Sequence, residues 1–212
     1  MKPNQNEFTN GATHTEKPPL VMSALKTETM SAHKQLERTN YFIRLFEPDY
    51  SIQEYRRLLC RFYGFFSAIE PLIFENLTET QLSVLGHKVK VGLLAKDISL
   101  FEGDEAGLQN MPQCDKLPRL NSFARQMGAL YVLEGSTLGG RIIAKRLKEH
   151  FGTEILDKLN YYNCYGENIS VEWKGFQSFM GSQFDDKEAE IPDVIAAAND
   201  TFLCLHQWFD KP

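Results

Sequence analysis

Closely spaced cysteines are missing from this chain. Its four cysteines, Cys60, Cys114, Cys164 and Cys204, stand 40 to 54 residues apart. No Cys-x-x-Cys element exists, which excludes a zinc knuckle and a thioredoxin-type motif. Thiols spaced this way in helical sequence are expected as small buried hydrophobes in a reducing compartment. Long apolar runs are also absent: nothing approaches the roughly 18 consecutive apolar residues of a membrane span. Basic charge is not in excess. Lys and Arg number 23 against 28 Asp and Glu, a formal net charge of −5, which argues against a general nucleic-acid binder. H-E-x-x-H and G-x-S-x-G do not occur, and there is no flavin or nicotinamide fingerprint. None of the five histidines has an acidic residue three positions before it. The occupants are Gly11, Met30, Val84, Leu147 and Leu203, so the Glu-x-x-His pairs of a di-iron bundle are excluded as well.

What is present is apolar, aromatic and helical in spacing. Hydrophobic residues make up 42% of the 212 positions and include fifteen Phe, enough for one sizeable core. The first nineteen residues, MKPNQNEFTNGATHTEKPP, are polar and lack the apolar segment of a signal peptide. They read as a flexible tail, 1–19, ahead of a single all-α domain, 20–212, expected in the cytoplasm. A first helix is predicted over 21–38, with Ser23 as candidate N-cap and Leu20, Leu25, Met30 and Leu36 available for burial. FEPDYS at 46–51 breaks the pattern. Ser51 and Glu54 then form a capping-box signature ahead of Tyr55, Leu58, Leu59, Phe62, Phe66 and Ile69, with Pro71 as a candidate kink. Further helices are predicted at 78–97, 118–150, 170–182 and 189–209. A long Gly- and Pro-rich loop precedes the 118–150 helix, and a turn-rich linker at 160–168 follows it. In the 118–150 helix the apolar set is Phe123, Met127, Leu130, Leu133, Leu138, Ile142 and Leu147.

Two local patterns carry chemistry. YVLEGSTLGGR, residues 131–141, places Gly135, Gly139 and Gly140 inside that helix. Each costs about 0.8–1 kcal/mol relative to alanine. Gly135 and Gly139 are four apart and share a face. Two explanations stand: close packing of helices through small residues, or a flat ligand laid against bare backbone. The second pattern is His33 with Glu37, also four apart. A carboxylate at Nδ1–H fixes the tautomer and leaves Nε2 to bind a metal; the alternative is an exposed i,i+4 pair. His14 falls in the tail, and His87, His150 and His206 are isolated.

AHKQLE near the N-terminus, taken with LYVLEGSTLGGRIIAKRL around residue 140, resembles the bacterial haem oxygenases, and most the biliverdin-forming branch found beside bacteriophytochromes. The resemblance covers roughly residues 21–209. It implies a multi-helix fold with haem between a proximal and a distal helix. His33 is then the iron ligand, supported by Glu37. Gly135 and Gly139 line the distal face, flanked by Ser136 and Gly140, and these three (Gly135, Ser136, Gly139) are the expected catalytic positions. Lys26 matches a propionate contact; Arg141, Lys145 and Arg146 are further basic candidates, with Arg146 favoured, and Tyr131 completes the expected haem contacts. The implied reaction turns haem, O2 and electrons into biliverdin, carbon monoxide and ferrous iron, with ferredoxin or a flavoprotein reductase as donor and a bacteriophytochrome as pigment acceptor. Two departures matter. Ser136 stands where many members carry an acid, and WKGFQSFMGSQF offers only Lys174 as a basic residue to steer haem orientation. A haem carrier of the same fold that does not degrade its ligand is the rival reading.

Overall fold

The computed structural model describes residues 17–75, 77–85, 89–102, 108 and 110–211, with backbone alone for Val84 and Glu102. Most of the polar tail, His14 and His87 lie outside the described residues. Within them the chain is helical and without strands. The elements are α1 (Leu20–Glu28), α2 (Met30–Leu36), α3 (Asn40–Arg44), α4 (Ile52–Phe74), α5 (Glu79–Leu85), α6 (Lys90–Glu102), α7 (Phe123–Phe151), α8 (Ile169–Phe184) and α9 (Ile191–Asp210).

The first predicted helix is two. The chain turns at Thr29, yet the amide of His33 still donates to the Thr29 carbonyl at 3.0 Å, so α2 continues the helical path of α1. Ser23 is not the N-cap. It lies inside α1, and the free amides of Leu20 and Val21 donate instead to the Asp185 carboxylate, each at 3.0 Å. Leu25 and Leu36 are buried as expected, whereas Leu20 and Met30 are exposed. α3 was not anticipated, and the 78–97 segment divides into α5 and α6.

Ser51 caps α4 as its sequence predicts. The Glu54 amide donates to the Ser51 hydroxyl, and the Ser51 amide donates to the Glu54 carboxylate. Glu54 also accepts from Arg44 Nε at 2.8 Å. That charged hydrogen bond, with those from Ser51, draws its pKa down to about 2. A carboxyl with a depressed folded-state pKa stabilises the fold above its ordinary value, and the contribution is lost as pH falls from the usual carboxylate range toward about 2. Glu54→Gln is therefore expected to shrink the difference between the thermal midpoints at pH 7 and pH 3. An unchanged difference would show that the Arg44–Glu54 contact does not persist in solution.

α4, α7 and α9 frame the core. Phe62 of α4 meets Phe209 of α9 with ring centroids 5.1 Å apart and Tyr161 at 5.5 Å. α7 runs unbroken for 29 residues and makes its longest contact with α9. It begins at Phe123, where the Ser122 hydroxyl accepts the Arg125 amide, and stops at Gly152, whose φ of 84° no side-chain-bearing residue adopts readily. The α7–α9 crossing is tightest at Gly128: a methyl group there would strike the Val194 carbonyl and come within 3.0 Å of Ala197 Cβ. The 160–168 linker is not a surface turn. Tyr161, Tyr162, Cys164 and Tyr165 are all buried. No two of the four cysteines form a disulfide; Cys114 and Cys164 are buried and the other two partly so.

Candidate functional site

α9 carries both halves of the site. α2 rests on it through His33, whose imidazole meets the edge of Phe202 at a centroid distance of 5.6 Å. α7 rests on it through Gly128. The two outer helices come together where the Tyr131 hydroxyl lies beside the Thr29 side chain. Residues four apart share a helix face. The face of α2 that includes Thr29 thus carries His33 one turn on, and the face of α7 that includes Tyr131 carries Gly135 and Gly139 one and two turns on. Thr29 is buried, but His33 is 56% and Glu37 60% exposed. A candidate cleft for a ligand is therefore the space between the two faces outward of Thr29–Tyr131, where His33 and Glu37 are exposed.

The three glycines divide between the two explanations the sequence left open. At Gly135 and Gly139 a side chain would meet nothing within 4 Å. At Gly140 it would come within 3.0–3.3 Å of the Tyr162 backbone and within 3.1 Å of its ring. Gly140 is a packing glycine, whereas Gly135 and Gly139 present bare helix to open space. Leu138 and Ile142, expected in the core, are instead 39% and 64% exposed beside them. Periodicity placed these residues on an apolar face correctly, but that face has no protein partner. A helix with an exposed apolar flank and two glycines that face open space is shaped for a broad apolar ligand.

On the α2 side, His33 Nδ1 lies 3.6 Å from the Glu37 carboxylate. This is ion-pair distance rather than a hydrogen bond. His33 Nε2 has no hydrogen-bond partner among the described residues, which leaves it available as a ligand. Lys26 is exposed and likewise uncommitted. Arg146 is not: its guanidinium donates to the Phe46 carbonyl at 2.7 Å and to Glu149 at 3.1 Å. Arg141, Lys145 and Lys174 are exposed. His150 faces the Leu45 carbonyl and His206 faces Asp210, both away from the cleft residues.

Behind the glycine face lies a buried polar layer that the sequence reading missed. Lys90 is fully buried, and its ammonium donates to Glu134 at 2.7 Å. The other Glu134 oxygen accepts from the Tyr165 hydroxyl at 2.9 Å. Glu70 accepts the Lys90 and Val91 amides, capping α6 with its negative charge. Ser136 donates to the Leu133 carbonyl at 2.6 Å and lies 3.0 Å from the Tyr161 hydroxyl. Asp97 accepts the Asn160 and Tyr161 amides and the Asn160 side chain at 2.7–2.9 Å. Burial nonetheless holds the Asp97 pKa above its ordinary value. One signal was available: Asp97 and Glu134 each sit among buried apolar neighbours on a helix face that is otherwise core.

Comparison with known proteins bears on the family and the fold. Residues 21–211 match the family model described as heme oxygenase. A heme oxygenase of Xanthomonas campestris pv. campestris (strain 8004) is 34% identical over 89 residues, 42% of this chain and 52% of that protein. The match thus spans about half the length of the curated relative. Among solved structures, heme oxygenase from Leptospira interrogans superposes with a TM-score of 0.72 at 17% identity, covering 89% of this chain and 98% of its own. Heme oxygenase-1 of Synechocystis sp. PCC6803, solved in complex with heme, gives 0.65 at 15% identity over 90% of each chain. At those identities the structures establish a shared fold. Among the described residues, no helix is long and apolar enough to cross a membrane.

Proposed function

The chain belongs to the haem oxygenase family, and we propose that it is a biliverdin-forming haem oxygenase of the branch associated with bacteriophytochromes. It consumes haem, O2 and electrons from a ferredoxin or a flavoprotein reductase, and a bacteriophytochrome is the proposed acceptor of the pigment. The observation that carries this reading is an unpartnered His33 Nε2 on α2 together with open space at Gly135 and Gly139 on α7, the two helices adjoining at Thr29 and Tyr131. A planar macrocycle fits that arrangement: its iron on one side needs a nitrogen ligand, and its other side needs room beside a helix.

Bound haem supplies the iron that activates O2 and the meso carbon that is oxidised. The residues supply the setting. His33 would hold the iron through Nε2, and Glu37, 3.6 Å from Nδ1, would accept a hydrogen bond from Nδ1–H and fix the tautomer. A neutral imidazole donates less electron density than a thiolate and so does not force the O–O bond apart on its own. Gly135 and Gly139 leave space on the opposite side, and Leu138 and Ile142 exclude water from the ring. Tyr131 closes the inner end of the cleft. Lys26 offers its free ammonium to a propionate, whereas Arg146 must give up Phe46 or Glu149 to do so.

The test is aerobic turnover. Purified protein with hemin should show a Soret band that ascorbate, with catalase present, converts to red-region bilin absorbance. His33→Ala should lose the native haem spectrum and most turnover. A Soret band that survives reduction and oxygen would replace the oxygenase by a haem carrier, and full turnover by His33→Ala would remove the ligand assignment.

A further inference from the structure

We propose that the cavity between α3, α4 and the end of α9 is a binding site for a small planar aromatic carboxylate, separate from the cleft beside His33. The proposal does not depend on the oxygenase reading.

The cavity has a volume of about 320 Å³, the size that takes a small organic molecule. Its walls come from residues 40–57 and 209–211. Phe209 stands seven residues beyond Phe202, the seat of His33, so the cavity lies about 10 Å farther along α9. One wall is aromatic and held in place. Tyr41 meets Phe209 edge to face with ring centroids 5.4 Å apart, and the Tyr41 hydroxyl accepts from Arg61 Nε at 3.1 Å. A flat ring gains by packing on such a wall.

The uncommitted polar groups of the cavity are donors. The buried one is Tyr50, which is 5% exposed and whose hydroxyl has no hydrogen-bond partner among the described residues. A buried hydroxyl is rarely left unmatched. The charges that act on it belong to Glu54 and Arg44, both in the cavity wall. Glu54 is already engaged: one oxygen accepts from Arg44 Nε, the other from the Ser51 amide and hydroxyl. Burial holds the Tyr50 phenol above its ordinary pKa, so it stays neutral and keeps its proton to donate. Arg44 spends Nε on Glu54 and Nη1 on Asp49, which leaves Nη2. Arg57 follows one turn after Glu54 on α4. It is exposed and has neither a hydrogen bond nor an ion pair among the described residues. The Asn40 amide at the rim is likewise unengaged. The remaining charges are occupied: Lys211 pairs with Asp115, and Asp210 faces His206 at 3.3 Å. A carboxylate supplies what these donors lack, acceptor lone pairs and a negative charge opposite Arg57. The ring attached to it then lies against Tyr41 and Phe209.

Cinnamate is the probe, titrated into the full chain by calorimetry, with cinnamyl alcohol as its uncharged counterpart. Cinnamate should bind with a Kd of about 1 mM or below, and the alcohol about tenfold more weakly or worse. Arg57→Gln and Tyr50→Phe should each weaken cinnamate binding about fivefold or more. Asp210→Asn should tighten it about twofold by removing a like charge from the rim. None of these variants should alter hemin affinity, and saturation with hemin should leave the cinnamate Kd unchanged. Arg57 is exposed, so Arg57→Gln decides the matter even if Tyr50→Phe disturbs the fold. No binding up to about 10 mM cinnamate would overturn the site and leave water as the partner of Tyr50. Equal affinity for the alcohol would overturn the carboxylate class. A Kd unmoved by Arg57→Gln, or displacement of cinnamate by hemin, would place the probe elsewhere and overturn the proposal.

Discussion

Lys90→Met should lower the thermal midpoint by about 10 °C. The ammonium it removes is fully buried and 2.7 Å from Glu134. Taking one partner from a buried ion pair costs about 3–5 kcal/mol, because the remaining charge has neither water nor counter-ion. For a domain of this size each kcal/mol moves the midpoint by about 2–4 °C. Tyr165 still donates to Glu134 in the variant, which keeps the expected shift toward the middle of that range. Lys90→Met combined with Glu134→Leu should recover most of the loss, since both charges then leave together. Thermal unfolding followed by circular dichroism checks both. A shift under about 2 °C in the single variant would mean that water reaches the pair. The position of the pair makes it relevant to function: Glu134 precedes Gly135, so the contact ties α7 to α6 at the point where the cleft begins.

Gly139→Leu should abolish hemin binding while leaving the protein as stable as before or slightly more so. A Cβ at this position meets no protein atom within 4 Å, and replacing a helix-interior glycine gains about 0.8–1 kcal/mol of propensity. The same side chain projects into the space assigned to haem, and a hundredfold or greater loss of affinity is expected, about 3 kcal/mol. Gly128→Val is the contrast. It drives a branched side chain into the Val194 carbonyl at the α7–α9 crossing and should prevent folding outright. Hemin titration followed by the Soret band, with a thermal melt for each variant, separates the two. Undiminished hemin binding by Gly139→Leu would place the ligand elsewhere.

How much of this was legible in the sequence depended on distance along the chain. The Ser51–Glu54 cap was, because it spans three residues and its chemistry is local. So was α7, while for Gly135 and Gly139 the sequence left two explanations open and the structure adds that neither packs against a neighbour within 4 Å. The cleft's apolar flank was misread because helical spacing says which residues share a face, not whether anything covers it. Leu138 and Ile142 have core periodicity but no core. The Lys90–Glu134–Tyr165 layer was illegible, since its contacts join positions 44 and 31 residues apart. The same holds for Asp185, which replaces Ser23 as the cap of α1 from 165 positions away.

That last contact sets an order on biosynthesis. The amides at the start of α1 are satisfied by Asp185, and α2 lies on α9, which starts at Ile191. The segment that carries His33 leaves the ribosome well before the helix that supports it. At about 5–20 residues per second, roughly 10–30 s separate the synthesis of Leu20 from that of Asp185. During that interval the nascent chain has a histidine but no shelf to hold it. With His33 as the proposed iron ligand, ligation waits for the synthesis of α9, so that products stalled before it should not hold haem in the native way.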